Sequence, residues 1–340
     1  MKSQILTEFL GTLLALYYSA SPVFSALKQL NTKIANYLAL MICWRITVMK
    51  LSLLPLSLGL LTSVASINAH AAMREYTANA DMSNWQMVKT SRLECQLNHE
   101  VPYYGEAIFS TTASKNKDVN FNLDMVVRPD NYSIAGLKAV PPSWRAGMPA
   151  RDLANMKLLR KFDGELGNKT AWEMLTELEK GYQPTFYYQD WQNSADKIAV
   201  GLSSVNFKQA YWAFLQCRDA MLPYSFEDIS FTVMNYEPNT SKLTKSSQKR
   251  LDKIGEYLKY DTNIESISIS SYTDSYGGRW NNLELSKKRA KAIKDYIVSL
   301  GVDESKVDTD GYGEKRHVAS NDNILDRNKN RRLVIQIAKM

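Results

Sequence analysis

Apolar and polar residues alternate from Val119 to Met125. Val119, Phe121, Leu123 and Met125 fall on one side, Asn120, Asn122 and Asp124 on the other. A period of two predicts a half-buried strand. Cys95–Leu97, Glu106–Thr112, Tyr132–Leu137, Thr185–Tyr188 and Lys197–Val205 also read as strands, with loops at Pro141-Pro142 and Gly164–Gly167. The period lengthens over Thr170–Lys180, where Leu175 and Leu178 lie near one face and Gly181 is a stop. It does so again over Phe207–Met221, where Tyr211, Phe214, Leu215 and Arg218 recur at helical spacing before Pro223. Residues 72–228 therefore predict a mainly antiparallel β domain with two helices.

Residues 229–340 have a different rhythm. Ile229, Phe231 and Val233 alternate as a first strand, and Pro238-Asn239 turns the chain. Leu251, Ile254 and Leu258 put one apolar stripe on a helix that starts near Thr244. Ile267 and Ile269 alternate with Ser268 and Ser270 as the next strand. Asp274 then stands at its end, before a Gly277-Gly278 loop. Asn281 reads as the start of a second helix, with Glu284 placed for a capping box. Arg289 then falls in its second turn. Ile293, Tyr296, Ile297 and Leu300 supply the buried face, Gly301 the stop, and Arg289 reads as lying off that stripe, free to reach a cleft. Val307–Gly313 and the alternating Leu333, Ile335 and Ile337 complete the order β-α-β-α-β-β. That order suits a two-layer α/β domain, and the chain as a whole is α+β.

The first 71 residues fit neither pattern. Met49-Lys50, an apolar run from Leu51 to Leu61, and Ala69-His70-Ala71 together make a secretory signal peptide over residues 49–71. Cleavage after Ala71 leaves no cysteine for lipid attachment, so a soluble periplasmic product is expected. Residues 1–48 hold apolar runs at Phe9–Tyr18 and Ile34–Ile46, each shorter than the ~18 residues of a membrane span. They read as an extension upstream of a true start at Met49; a membrane anchor is the competing reading.

Charge narrows the function little. The formal net charge is +7, but residues 72–228 carry 17 basic and 19 acidic residues, and residues 229–340 carry 20 and 15. The basic residues sit beside acids and form no dense run, so nucleic acid is not expected as a partner. With three histidines and no metal-spaced Cys/His cluster, no metal or other cofactor is expected. No paired acid and base stands out, no GxSxG elbow occurs, and no enzyme is read. Trp85, Trp144, Trp172, Trp191 and Trp212 make residues 72–228 rich in aromatics, read as core or as a patch for a partner protein. Cys95 and Cys217 are the two cysteines left after processing. In an oxidising compartment such a pair bridges; two buried free thiols are the alternative.

The strand-end carboxylate Asp274 and the helix guanidinium Arg289 can flank one cleft. Such a cleft offers an acceptor for an ammonium and a fork for a carboxylate, which suits a zwitterionic amino acid. Tyr272-Thr273-Asp274, Gly277, Asn282-x-x-Leu285-Ser286-x-x-Arg289-Ala290, Gly311-Tyr312-Gly313-Glu314, Asn321 and Arg327-x-x-Asn330-Arg331-Arg332 follow in order within residues 229–340. This set resembles the OmpA-like peptidoglycan-binding domain. The resemblance implies that Asp274 and Arg289 grip the diaminopimelate of the stem peptide, with Thr273 and Asn282 in the same motif. Arg327, Asn330 and Arg331 either line the cleft or bond the domain's own backbone. The family usually has Gly-His where this chain has Ser271-Tyr272, which puts the local turn hydrogen bonds in question.

Arg74-Glu75-Tyr76, Trp85, and Cys95-x-Leu97-x-His99-x-Val101-Pro102-x-Tyr104-Gly105-x-Ala107-x-Phe109 resemble a second family, the MotY proteins of sodium-driven polar flagellar motors. That resemblance runs from about Arg74 to the C-terminus. It implies a periplasmic protein whose N-terminal domain docks on the flagellar basal body and on MotX, holding sodium-driven stator units while the C-terminal domain binds peptidoglycan. An OmpA-like envelope anchor without a flagellar role is the alternative. A peptidoglycan-processing enzyme would need a nucleophile or metal set that the residues do not supply.

Overall fold

The computed structural model describes residues 72–142, 145, 147–237 and 240–340. The expected signal peptide, the upstream residues 1–48, Trp144 and the Pro238-Asn239 turn lie outside these residues.

Residues 72–228 hold ten strands and two long helices: β1 (Met73–Thr77), β2 (Trp85–Thr90), β3 (Glu94–Val101), β4 (Gly105–Thr112), β5 (Val119–Met125), β6 (Ser133–Val140), β7 (Arg151–Leu158), β8 (Gly164–Leu166), α1 (Asn168–Glu179), β9 (Gln183–Gln189), β10 (Lys197–Gly201) and α2 (Phe207–Ala220). They form two five-stranded sheets, ordered β2-β3-β4-β5-β8 and β1-β10-β9-β6-β7. All pairings are antiparallel except that of β1 with β10. The β5 alternation holds: Val119, Phe121, Leu123 and Met125 are buried. Phe121 stacks on Phe186 of β9 at 5.5 Å, so the aromatic core joins the two sheets. Trp85 packs edge-on against Phe207 of α2 at 4.8 Å and flat on His99 at 4.4 Å. A disulfide between Cys95 on β3 and Cys217 on α2, Cα to Cα 6.1 Å, fixes the helix to the first sheet.

The strand expected over Lys197–Val205 ends at Gly201. Four further strands, β1, β2, β7 and β8, were not read from the pattern. The last occupies residues expected as loop. Gly164 fits there because the Met156 side chain fills the space where a Cβ would stand, 2.6 Å away.

Residues 227–340 form α3 (Glu227–Ser230), β11 (Phe231–Asn235), α4 (Lys245–Leu258), β12 (Ile264–Tyr272), α5 (Arg279–Ser299), a 3-10 turn (Glu304–Lys306), β13 (Val307–Gly313), α6 (Ile324–Asn330) and β14 (Arg332–Lys339). The sheet order is β11-β14-β12-β13, with β12 parallel to β13 and β14 antiparallel to both its neighbours. Ile254, Ile293 and Ile297 from the helices pack with Ile267, Ile269, Leu333 and Ile335 from the sheet. Thr244 caps α4 by accepting from the Ser247 amide. Gly301, at φ +100°, follows the end of α5.

Several local expectations change. On β11 the buried residues are Thr232 and Met234, whereas Phe231 is exposed. The strand packs against α4, and Ile229 belongs to the helical turn before it, so it does not set the strand's phase. Helix α5 begins at Arg279, with Gly278 as its N-cap. The Asn281–Glu284 capping box is therefore not formed, and Glu284 pairs with Lys287. Arg289 accordingly lies in the third turn. A seven-residue helix, α6, stands between the last two strands and was not anticipated.

Arg92, in the β2–β3 turn, and Tyr224 both donate to Glu256 of α4, each at 2.7 Å. Arg92 also donates to the Ala220 carbonyl at 3.1 Å. These bonds tie the two parts of the chain together.

Candidate functional site

The site begins where β12 ends beside β13. The Thr273 amide donates to the Gly313 carbonyl at 2.8 Å, so the turn after Ser271-Tyr272 keeps its backbone bond. Asp274 follows. Its Oδ1 accepts from the Tyr276 amide at 3.2 Å, a local turn closed by the side chain. Gly277, at φ +99°, completes the reversal into α5.

Two glycines let α5 approach β13. A Cβ on Gly311 would stand 2.4 Å from the Lys287 backbone nitrogen, and one on Gly313 would stand 3.1 Å from Leu283. Ser286 sits at that contact, its Oγ accepting from the Gly313 amide at 2.9 Å. One turn earlier Asn282 spans the loop. Its Nδ2 lies 3.3 Å from the Asp274 and Tyr276 carbonyls and 3.4 Å from Glu314 Oε2.

Arg289 does not lie off the apolar stripe. Arg289, Ile293 and Ile297 are four residues apart, share one face and are all buried. The Arg289 guanidinium lies over the Tyr236 ring, 4.2 Å from its centroid, and donates to the Thr240 carbonyl. Burial holds its pKa below the ordinary guanidinium value. Asp274 and Arg331 both act on it electrostatically, with opposite sign. Among the described residues, Arg289 Nε and Nη1 have no hydrogen-bond partner, nor do Arg331 Nε and Nη2 or Thr273 Oγ1.

Arg331 takes the place opposite Asp274 that a ligand ammonium was expected to fill: its Nη1 donates to Asp274 Oδ2 at 2.5 Å. Arg327 and Asn330 serve the backbone. Arg327 donates to the Asn321 carbonyl at 3.1 Å. Asn330 accepts from the Val318 and Ala319 amides and donates to the Ala319 carbonyl, all within 3.0 Å. Asn321 in turn accepts from the Ser275 amide at 3.1 Å, linking this loop to the Asp274 turn.

The structure thus gathers Thr273, Asp274, Asn282, Arg289 and Arg331, while Arg327 is engaged with the Asn321 carbonyl. Sequence reasoning missed Tyr236 and Thr240, which hold Arg289 from the β11–α4 side. Arg289 alone signalled that something must cover it. It also missed a stack in which Arg332 lies 3.8 Å from the Tyr272 centroid, Tyr272 stacks on Tyr312 at 5.1 Å, and Arg316 covers Tyr312 at 4.3 Å. Tyr272, the departure from the usual Gly-His, is the centre of that stack. Chemically, two buried guanidiniums with spare donors face one carboxylate, an arrangement that favours an anionic group.

Comparison with known proteins assigns the chain. It is 42% identical over 282 residues to the sodium-type flagellar protein MotY of Vibrio parahaemolyticus, covering 83% of this chain and 96% of that protein. The chain belongs to the MotY family. The MotY N-terminal domain profile matches residues 76–223, and the OmpA family profile matches residues 235–331. Outer membrane protein A of Bordetella avium is 32% identical over 102 residues, which is 30% of this chain and 52% of that one. The solved peptidoglycan-associated lipoprotein of Burkholderia pseudomallei aligns over 31% of this chain and 89% of its own, at 24% identity and a TM-score of 0.29. The MotY-type N-terminal region thus carries the disulfide, and the OmpA-type region carries the Asp274–Arg331 cluster. Among the described residues no helix is long and apolar enough to cross a membrane.

Proposed function

We propose that this protein is a non-catalytic periplasmic component of the polar flagellar motor. Residues 72–228 dock on the basal body and on MotX, and residues 229–340 hold peptidoglycan, so that sodium-driven stator units are anchored to the wall. The observation that carries this reading is the buried Asp274–Arg289–Arg331 cluster in an OmpA-type domain, joined to a MotY-type domain in one chain.

The diaminopimelate of the stem peptide offers a carboxylate and an ammonium. Arg289 presents spare donors for the carboxylate, and Arg331 adds positive charge beside it. The ligand ammonium competes with Arg331 for Asp274. Thr273 and Asn282 shape the loop that carries Asp274. The signal sequence over residues 49–71 delivers the chain to the periplasm.

The test is a strain lacking the gene, complemented from Met49 with a fluorescently tagged protein. Recovery of swimming and foci at the flagellar pole are the expected results. Sedimentation of the purified protein with peptidoglycan, without polar foci or recovered motility, would leave a general envelope anchor. Release of soluble muropeptides in a zymogram would overturn the non-catalytic assignment.

A further inference from the structure

Residues 275–280, between the Asp274 turn and the first turn of α5, are all exposed. Two of them are aromatic: Tyr276 is 74% exposed and Trp280 71%. Trp280 is the most exposed tryptophan among the described residues. Single exposed rings are ordinary on a protein surface, and Tyr103 at 93% is one; Tyr276 and Trp280 differ in falling together within one six-residue stretch that leaves Asp274. Neither is on a loose tail. The Tyr276 amide donates to Asp274 Oδ1, and its carbonyl receives Asn282 Nδ2 at 3.3 Å, so two cleft residues hold the tyrosine from both ends. Gly277 turns the chain between the two rings, and α5 fixes Trp280 in its first turn.

We infer that Tyr276 and Trp280 form a saccharide platform beside the cleft, contacting the muramoyl sugar to which the bound stem peptide is attached. This rests on the peptidoglycan reading above and extends it from peptide to glycan. The electron-rich face of an aromatic ring receives the C–H edge of a pyranose, while the sugar hydroxyls stay in water. Continuity decides the occupant. A stem peptide whose third residue lies at Asp274 and Arg289 has two residues and a lactyl group before its sugar, a reach of roughly 10 Å when extended. Tyr276 stands two residues from Asp274, and its side chain points into solvent. The backbone bonds of Tyr276 do not need its ring, so replacing the ring leaves the cleft in place.

The test uses calorimetry on the purified periplasmic protein with two ligands: the free diaminopimelate-containing tripeptide, and the same tripeptide on its disaccharide. The wild type should bind the muropeptide about ten-fold more tightly than the peptide. The Tyr276→Ser/Trp280→Ser double variant should bind the peptide as wild type does and lose the added affinity. Quenching of Trp280 fluorescence by muropeptide but not by peptide, absent in Trp280→Phe, is the expected companion signal. Equal wild-type affinity for both ligands would overturn the platform while leaving the peptide cleft standing. Binding of neither ligand would instead overturn the peptidoglycan reading and the platform with it. A double variant that keeps full muropeptide affinity but loses motility would overturn the platform in favour of a protein partner on this loop.

Discussion

Arg331 donates to Asp274 at 2.5 Å, and both side chains are at most 10% exposed. The carboxylate that the motif assigns to a ligand is thus already paired within the domain. It has a structural task before it has a binding one. Removing either partner leaves a charge in a low-dielectric site without compensation.

Asp274→Asn should therefore destabilise the C-terminal domain by about 3–5 kcal/mol, because Arg331 keeps its charge and loses its counter-ion. Chemical denaturation of the purified protein measures this. An Asp274→Asn/Arg331→Met pair should recover part of the loss. A single variant that unfolds at the wild-type denaturant concentration would show that the pair contributes nothing.

Arg289→Ala should reduce sedimentation with purified peptidoglycan by about thirty-fold to several thousand-fold in affinity, the range for losing one member of a desolvated charge pair. Arg289→Lys should recover only part, since an ammonium lacks the planar fork. Both variants are compared at matched thermal stability, because Arg289 also covers Tyr236. Sedimentation of Arg289→Ala at the wild-type level would remove Arg289 from the site.

Reducing the Cys95–Cys217 bridge should lower the stability of residues 72–228 by about 4–5 kcal/mol at most, from the entropy of closing a loop of this length. The bridge closes a separation of 122 residues. Thermal melting with and without reductant, and of Cys95→Ser, checks this. Identical melting in all three would leave the bridge without a stabilising role.

His99 makes stability depend on pH. It is fully buried, stacked on Trp85, with Nδ1 2.9 Å from the Asn84 carbonyl and Nε2 accepting from the Ser203 amide. Burial pushes its pKa down to about 4 from an ordinary 6.5. Between those values the unfolded chain binds the extra proton and the folded chain does not. Stability is therefore full above about pH 6.5 and is lost as pH falls towards 4, by about 3 kcal/mol. Denaturation at pH 7 and pH 4.5 should show this slope, and His99→Gln should flatten it. An unchanged slope in the variant would place the pH dependence elsewhere.

Gly311→Ala should cost about 1–3 kcal/mol by overpacking, since its Cβ would meet the Lys287 backbone nitrogen and Cα as well as its Cγ. Because the two Lys287 backbone atoms cannot swing aside as its Cγ can, α5 must shift, and that shift should weaken peptidoglycan binding through Arg289. A variant with wild-type melting would mean that α5 shifts without strain.

The one-dimensional pattern determined what depends on local periodicity. Alternation placed β5 and β12, helical spacing placed α1, α2 and α4, and Thr244 and Gly301 marked ends where cap chemistry is local. The ordered motif from Tyr272 to Arg332 was legible too, as a resemblance to the OmpA-like domain. Edge and short strands were not. β1 and β8 gain their backbone partners from segments distant in the chain, and so need no strong pattern of their own. The phase of β11 escaped because an adjoining helical turn supplied one of the apolar residues. Above all, the charged site was decided in three dimensions. Sequence placed Asp274, Arg289 and Arg331 in a row of motifs, but which guanidinium takes the carboxylate depends on how β12, α5 and the α6–β14 junction converge. That convergence gives Asp274 to Arg331 and leaves Arg289 beneath Tyr236 and Thr240, because a buried carboxylate pairs with the guanidinium that packing brings within hydrogen-bond reach.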